Sequence, residues 1–350
     1  MKPGGGDAVK KSAAALCAGV LFLLLLLRPA AFTEGVRTGL QLCAAVVIPS
    51  LFPFTAAATL AVRGKLPRPI LRLASPLMRR LRQPPESAAI LLLAMAGGYP
   101  VGAQAIGTAL QNGSLTAAQA ERLQCVCLNA GVGFTVNAVG AALLGSRAAG
   151  VLLFVSVTLG ALVLLPLTCL LRPRAAVPTL PAPPPAAQAL LVESVAAGAR
   201  AMLTVCGLVA LFSGLGSTVA SFSLPPRAVT LLCCLLEVTG GCARAAGQVP
   251  LPVLAAVCAF GGLCVHLQVI ALAGDAAPPL PRFYFFRLLH AALAAGVSAG
   301  LVRLFPQATA AFAQPAIRAE PWSGSAPAAV SLLILSALVI LDLDTKKRIW

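Results

Sequence analysis

The chain has 350 residues, 59% of them apolar and only 10% charged, and its mean hydropathy is +0.92. A soluble domain cannot cover that much apolar surface with so few charges, so an all-α polytopic membrane protein is expected. The net charge of +16 could suit nucleic acid, but seven basic residues gather between Arg63 and Arg82, as cytoplasmic membrane loops do. The lipid bilayer is therefore an expected partner and nucleic acid is not. The apolar runs are long and continuous, whereas a transmembrane β-barrel would show short alternating strands.

In chain order, Lys10 and Lys11 precede an apolar run from Ala13 to Leu27, which is expected to be a retained first span, with a cleaved signal peptide as the alternative. A second span runs from about Val36 to Val62. Pro49 and Pro53 each remove a backbone hydrogen bond, so this helix should be kinked. The basic loop follows, and Pro84-Pro85-Glu86-Ser87 leads into an apolar run from Ala88 to about Leu110.

That run is interrupted by Gly97-Gly98-Tyr99-Pro100, so neither arm alone can cross about 30 Å of hydrocarbon. Lipid cannot satisfy broken backbone, so such a break must be buried in protein or line a polar cavity. The two arms read as a re-entrant hairpin, with a single tilted, broken span as the alternative. Asn112-Gly113-Ser114 makes a turn, and Thr116 with Gln119 forms a helix-starting capping box. The chain then crosses from about Leu123 to Leu144, through Asn129, Gly131 and Asn137. A plain apolar span follows from Ala148 to Leu171.

A proline-rich linker, residues 172–193, divides the chain. Beyond it the order recurs: a long span from Ser194 to Ser221, then Pro225-Pro226, then a short arm from Ala228 to Leu236. That arm ends at Glu237-Val238-Thr239-Gly240-Gly241. The next span passes through Gly261-Gly262, His266 and Gln268, and another runs from about Phe283 to Leu304. A last span, Ala326 to Leu341, ends in Lys346-Lys347-Arg348. The expected organisation is thus an N-terminal helix (1–35), a first gate-like repeat (36–171), the linker, a second gate-like repeat (194–305) and a C-terminal helix with a basic tail (306–350). With both termini and the linker in the cytoplasm, loop parity makes the two repeats inverted relative to one another. Paired, broken hydrophobic segments in two halves are the sequence mark of a transporter-like binding site.

The expected substrate-binding residues lie at these breaks: Gly97, Gly98, Tyr99 and Gln104, with Asn129 and Asn137, in the first half; Glu237, Thr239, Gly240, Gly241, Gly261, Gly262, His266 and Gln268 in the second. Glu237 is the sharpest of them. A charge at membrane depth costs about 2.5–3.5 kcal/mol on insertion scales, so it must be neutralised, paired or facing water. Arg244 is a candidate partner, but Gly240-Gly241 is expected to expose it at the outer interface and leave Glu237 without it. The eleven cysteines show no metal-ligand spacing, and no disulfide framework, metal or cofactor is expected. Neither H-E-x-x-H, G-x-S-x-G nor a Walker A motif occurs, so no enzyme is expected.

The segments Pro49-Ser50-Leu51-Phe52-Pro53-Phe54, Gly98-Tyr99-Pro100-Val101-Gly102-Ala103, Leu236-Glu237-Val238-Thr239-Gly240-Gly241 and Phe260-Gly261-Gly262-Leu263-Cys264-Val265-His266-Leu267-Gln268 resemble the sporulation integral membrane proteins of the YlbJ type. These belong to a wider group carrying a nucleoside-recognition or gate domain. The resemblance spans about Val36 to Leu304. It implies a multi-pass cell-membrane protein of endospore-forming bacteria, needed for spore cortex formation, with a transporter-like core. The family tends to carry paired Asn residues followed by Gly-Pro-x-Phe; here Leu128 precedes Asn129 and Val132 stands in place of the Pro. The function this implies is a gated transporter or permease for a small polar solute. The alternative is a non-transporting scaffold that keeps the fold and joins itself or other sporulation membrane proteins as partners.

Overall fold

The computed structural model describes residues 19, 21–64, 75–170 and 187–306, and all of its regular structure among them is helical. The C-terminal span, most of the linker and the start of the N-terminal run lie outside the described residues. Residues 21–27 are helical and end in a bend at Arg28. Five of the described helical stretches are long and apolar enough to cross a membrane, and the chain is an all-α polytopic membrane protein.

Helix α1 (Pro29–Leu42) continues through a π-helical turn (Cys43–Val47) into α2 (Ile48–Gly64). The helix begins at Pro29 and not at the expected Val36, because a proline at the first helical turn gives up an N–H that has no partner there anyway. The expected kink takes the form of the π turn. Pro49 has no N–H for the ladder, so the turn before it widens, with the Ile48 N–H reaching the Cys43 carbonyl. Ser50 Oγ donates to the Val46 carbonyl at 2.5 Å, replacing part of what the wider turn gives up.

The break at Gly98 makes a hairpin, not a tilted broken span. Helix α3 (Ser87–Gly97) and helix α4 (Tyr99–Gln111) have 11 and 13 residues. At about 1.5 Å per residue each is some 16–20 Å long, short of a crossing. A Cβ built on Gly102 would lie 2.9 Å from the Ala94 Cβ, so residues on either side of the tip face each other. Gly98 itself has φ +93° and ψ −169°, a region essentially restricted to glycine, and this reverses the chain in one residue.

Helix α5 (Ala117–Val126) opens with the expected capping box of Thr116 and Gln119. It stops mid-bundle, residues 127–132 carry no helix apart from Val132 at the very start of the next, and a π-helical segment (Gly133–Leu143) completes the crossing. Helix α6 (Arg147–Leu167) returns. After the linker, α7 (Ala187–Ala220) crosses and lies antiparallel to α1 and α2. Gly35 and Gly39 meet Ser217 and Ser213, while Gly198 meets Thr55 and Gly64 meets Leu190. Small residues let these backbones approach closely, as in other membrane helix pairs. A second hairpin follows, α8 (Pro226–Leu236) and α9 (Val238–Ala245), with Gly241 against the Cα of Cys234. Helix α10 (Leu251–Phe260) and helix α11 (Gly262–Ala273) form a second broken crossing, and α12 (Leu280–Leu304) is the last described span.

The contacts sort the helix ends into two faces. On one, Arg63 pairs with Glu193 at 2.6 Å, Asn112 Nδ2 donates to the Val62 carbonyl at 3.4 Å, Gln83 Nε2 donates to the Gln119 carbonyl at 3.4 Å, and Arg282 pairs with Glu121. On the other, Arg28 lies 5.3 Å from the centre of the Phe222 ring. The first hairpin opens to the Arg63 face and the second to the Arg28 face, so their tips approach from opposite sides. The main apolar core gathers around the first hairpin, α5, α6 and α10–α12. A smaller one, with Cys43, Met202, Val205, Cys206, Val209 and Phe212, joins the π turn to α7.

Candidate functional site

Each hairpin tip rests on the break of the crossing that follows it. A Cβ on Gly131 would lie 2.8 Å from Ala96 O, Gly97 C and Gly98 N, so only glycine allows this contact between tip and break. In the second half Gly262, with φ +76°, sits against the tip at Glu237; its built Cβ would lie 3.2 Å from the Cys234 carbonyl oxygen and the Glu237 nitrogen. The two assemblies meet through Tyr99, whose ring edge lies 3.4 Å from a Cβ built on Gly261.

Between the two tips lies a partly open cavity with about 700 Å³ of empty space, the solvent at its mouth included. Of the residues expected from sequence, Gly97, Gly98, Tyr99, Glu237, Thr239 and Gln268 line it. The rest of its wall is largely aliphatic and aromatic, including Leu51, Phe54, Phe134 and Val209. A second cavity of about 1000 Å³ lies between α1, α7, the π-helical segment and the second hairpin, and shares Val46, Glu237 and Thr239 with the first. Gly240 lines this outer cavity, as does Arg244. Glu237 thus stands where the two cavities meet.

Glu237 is 5% exposed and forms the cap of α9: its carboxylate accepts the Thr239 N–H at 2.8 Å and the Gly240 N–H at 2.6 Å. A carboxylate at a helix N-terminus is stabilised both by those bonds and by the helix dipole. The candidate pair with Arg244 is not made: beyond the Gly240-Gly241 break the arginine is exposed on the last turn of α9, about two helical turns away.

Five further expected residues are turned to other tasks. Gln104 Nε2 donates to Thr59 Oγ1 at 3.0 Å, which ties α4 to α2 rather than facing a cavity. Asn129 Nδ2 donates to Thr158 Oγ1 at 3.3 Å, joining the first break to α6. Asn137 is exposed and lines neither cavity, because it falls on the outer side of the π-helical segment. Gly241 is consumed by the close approach of α8 to α9. His266 points away from the cavities. Its Nε2 is 2.8 Å from the Phe260 carbonyl, the last of α10, and its ring sits edge-on to Phe260, Phe283 and Tyr284.

The other break is secured by a pair outside the residues expected from sequence, Arg287 and His290. Arg287, 1% exposed on α12, donates through Nη2 to the Cys125 carbonyl at 2.6 Å and through Nη1 to the Leu128 carbonyl. These are carbonyls freed where α5 stops, and a guanidinium offers a fork of donors that reaches both. His290, one turn on, lies with Nδ1 3.3 Å from Arg287 Nη1 and with Nε2 2.9 Å from the Val157 carbonyl. The signal was present in the sequence as an arginine and a histidine spaced i, i+3 inside an apolar span. Each broken crossing therefore has a nitrogen-bearing side chain at its carbonyl end, Arg287 for α5 and His266 for α10. Against known proteins, the chain matches no family model, no curated protein and no solved structure.

Proposed function

We propose that this membrane protein is a gated transporter or permease for a small polar solute, acting in spore formation as the resemblance to YlbJ-type proteins implies. The observation that carries the reading is the central cavity, walled by the tips of two helical hairpins that enter from opposite faces. Helix breaks inside a bilayer bring backbone polar groups to a cavity wall, and the known use of that arrangement is to hold a solute near the midplane. On this reading the two halves act as inverted repeats around the cavity, and rocking one against the other exposes it to each side in turn.

The test is uptake into proteoliposomes of a panel of labelled nucleosides, amino acids and small ammonium compounds. At least one is expected to accumulate with the wild-type protein and not with Val209→Trp, which fills the cavity from α7, provided thermal unfolding of the variant stays close to wild type. If no panel member accumulates and Val209→Trp still supports cortex formation, the cavity is not a transport site and the scaffold reading replaces this one.

A further inference from the structure

The chemistry of the cavity wall narrows the solute, on the reading that the central cavity receives one. Among the described residues, Glu237 is the only acidic or basic side chain on that wall. The acids Glu34, Glu121 and Glu193 each have an arginine partner, Arg37, Arg282 and Arg63 respectively, while Glu237 is buried and has none. Its two bonds to backbone N–H groups use one acceptor position on each oxygen, and a carboxylate has about four. Acceptor capacity is left over, at the junction of two cavities.

The helix ends around the cavity do not reverse this sign. Helix α4, the π-helical segment, α9 and α11 bring N-terminal ends to the breaks, while α3, α5, α8 and α10 bring C-terminal ends. At roughly half an elementary charge each, the four of one sign offset the four of the other. Among the described residues the remaining whole charges are Glu237 on the wall and Arg287 behind it, and Arg287 is occupied by the carbonyls of Cys125 and Leu128. Most of the other wall groups are apolar, so they favour a solute with an apolar body.

We propose that the central cavity binds an organic cation, an ammonium group carried on a small apolar body, with Glu237 as its counter-ion and the outer cavity as its route in. Arg244 stands on the wall of that route, exposed, where water screens it from the carboxylate further in. The outer cavity leads to the cavity floor past Val46 in the π turn and Thr239 on α9. A hinge at the π turn would move the Val46 side of this passage without moving the second hairpin.

The experiment uses two thiol reagents of similar size and opposite charge, an ammonium-bearing and a sulfonate-bearing methanethiosulfonate, on the full chain in membranes. Val209→Cys and Ser50→Cys place thiols on two walls of the central cavity, and labelling of the parent with its natural cysteines is subtracted. The ammonium reagent is expected to react about tenfold or more faster than the sulfonate, relative to their rates on a free thiol, as one nearby charge in a medium of intermediate dielectric would produce. Glu237→Ser keeps a side chain able to cap α9 but removes the charge, and is expected to abolish the preference; Glu237→Asp is expected to keep it. Equal rates, or a faster sulfonate, would overturn the cation assignment while leaving a water-reached cavity and the transport reading standing. A preference that survives Glu237→Ser would overturn the role of Glu237. No reaction at either position would mean a cavity closed to water, and both readings would fall.

Discussion

Arg287→Met is expected to destabilise the protein strongly, although it replaces a buried charge with an apolar side chain of similar length. Burying a guanidinium is costly, and in an apolar surrounding its removal alone could stabilise. Here the guanidinium is what satisfies the carbonyls of Cys125 and Leu128 where α5 stops, in a region 0–2% exposed. Each carbonyl left without a partner costs roughly 1–3 kcal/mol. His290 loses a neighbour as well, and cannot replace it because its Nε2 is already engaged with Val157. Arg287→Lys is expected to recover part of the loss, since an ammonium keeps the charge but not the fork. Thermal unfolding in detergent is the measurement, with Arg303→Met, at the exposed end of α12, as a control expected to change stability by less than about 0.5 kcal/mol. If Arg287→Met melts with the wild type, the carbonyls at the break are satisfied in some other way.

The second large effect is expected at the contacts between tip and break. Gly131→Ala would place a methyl group 2.8 Å from three backbone atoms of the first tip, and backbone cannot swing aside as a side chain can. Forcing an extra methyl into packed surroundings costs about 1–3 kcal/mol and sometimes more. Gly262→Ala combines a similar approach with a φ of +76°, so crowding and backbone strain add. Gly300→Ala is the control: nothing lies within 4 Å of its built Cβ, and alanine favours helix by up to about 1 kcal/mol over glycine. Both break variants are expected to unfold at lower temperature than wild type and the control at the same or a higher one. Unchanged unfolding of Gly131→Ala would mean that the first tip does not rest on the first break.

The membrane class and the positions of the breaks were legible because they rest on strong local signals. Runs of apolar residues longer than a soluble helix admits, and Gly-Gly or Gly-Tyr-Pro inside them, have few other readings in a bilayer. The capping box at Thr116 was legible for the same reason, since both of its partners lie within one helical turn. What could not be read was direction around a helix. Gln104 and His266 sit beside the breaks in sequence, yet the first faces α2 and the second faces Phe283 and Tyr284 on α12. Apolar residues surround both on all sides of the helix, so no periodicity tells cavity from neighbour. The π-helical segment adds a further shift: it changes the number of residues per turn, and so carries Asn137 to the outside.

Glu237 shows a different limit. Its burial and the absence of a pair with Arg244 were foreseeable from the apolar residues and the Gly240-Gly241 break around it, but the groups that bind it were not. The backbone N–H groups of Thr239 and Gly240, which carry no signal in the sequence, cap the carboxylate. Arg287 was missed for the converse reason. Its partners are backbone carbonyls in another segment, 159 and 162 residues away, and only the fold brings them within reach.

Two hairpins that enter from opposite faces and meet at one cavity must have their outer ends on opposite sides of the membrane. Arg80 precedes the first hairpin and Arg227 opens the second, and both are exposed. Arg80→Cys and Arg227→Cys, made separately in the full chain, are treated in sealed, oriented vesicles with a membrane-impermeant maleimide, and the parent's labelling is subtracted. One of the two is expected to label from outside and the other only after the vesicles are opened. If both label from the same side, the hairpins do not enter from opposite faces, and the shared cavity between their tips is not built as described.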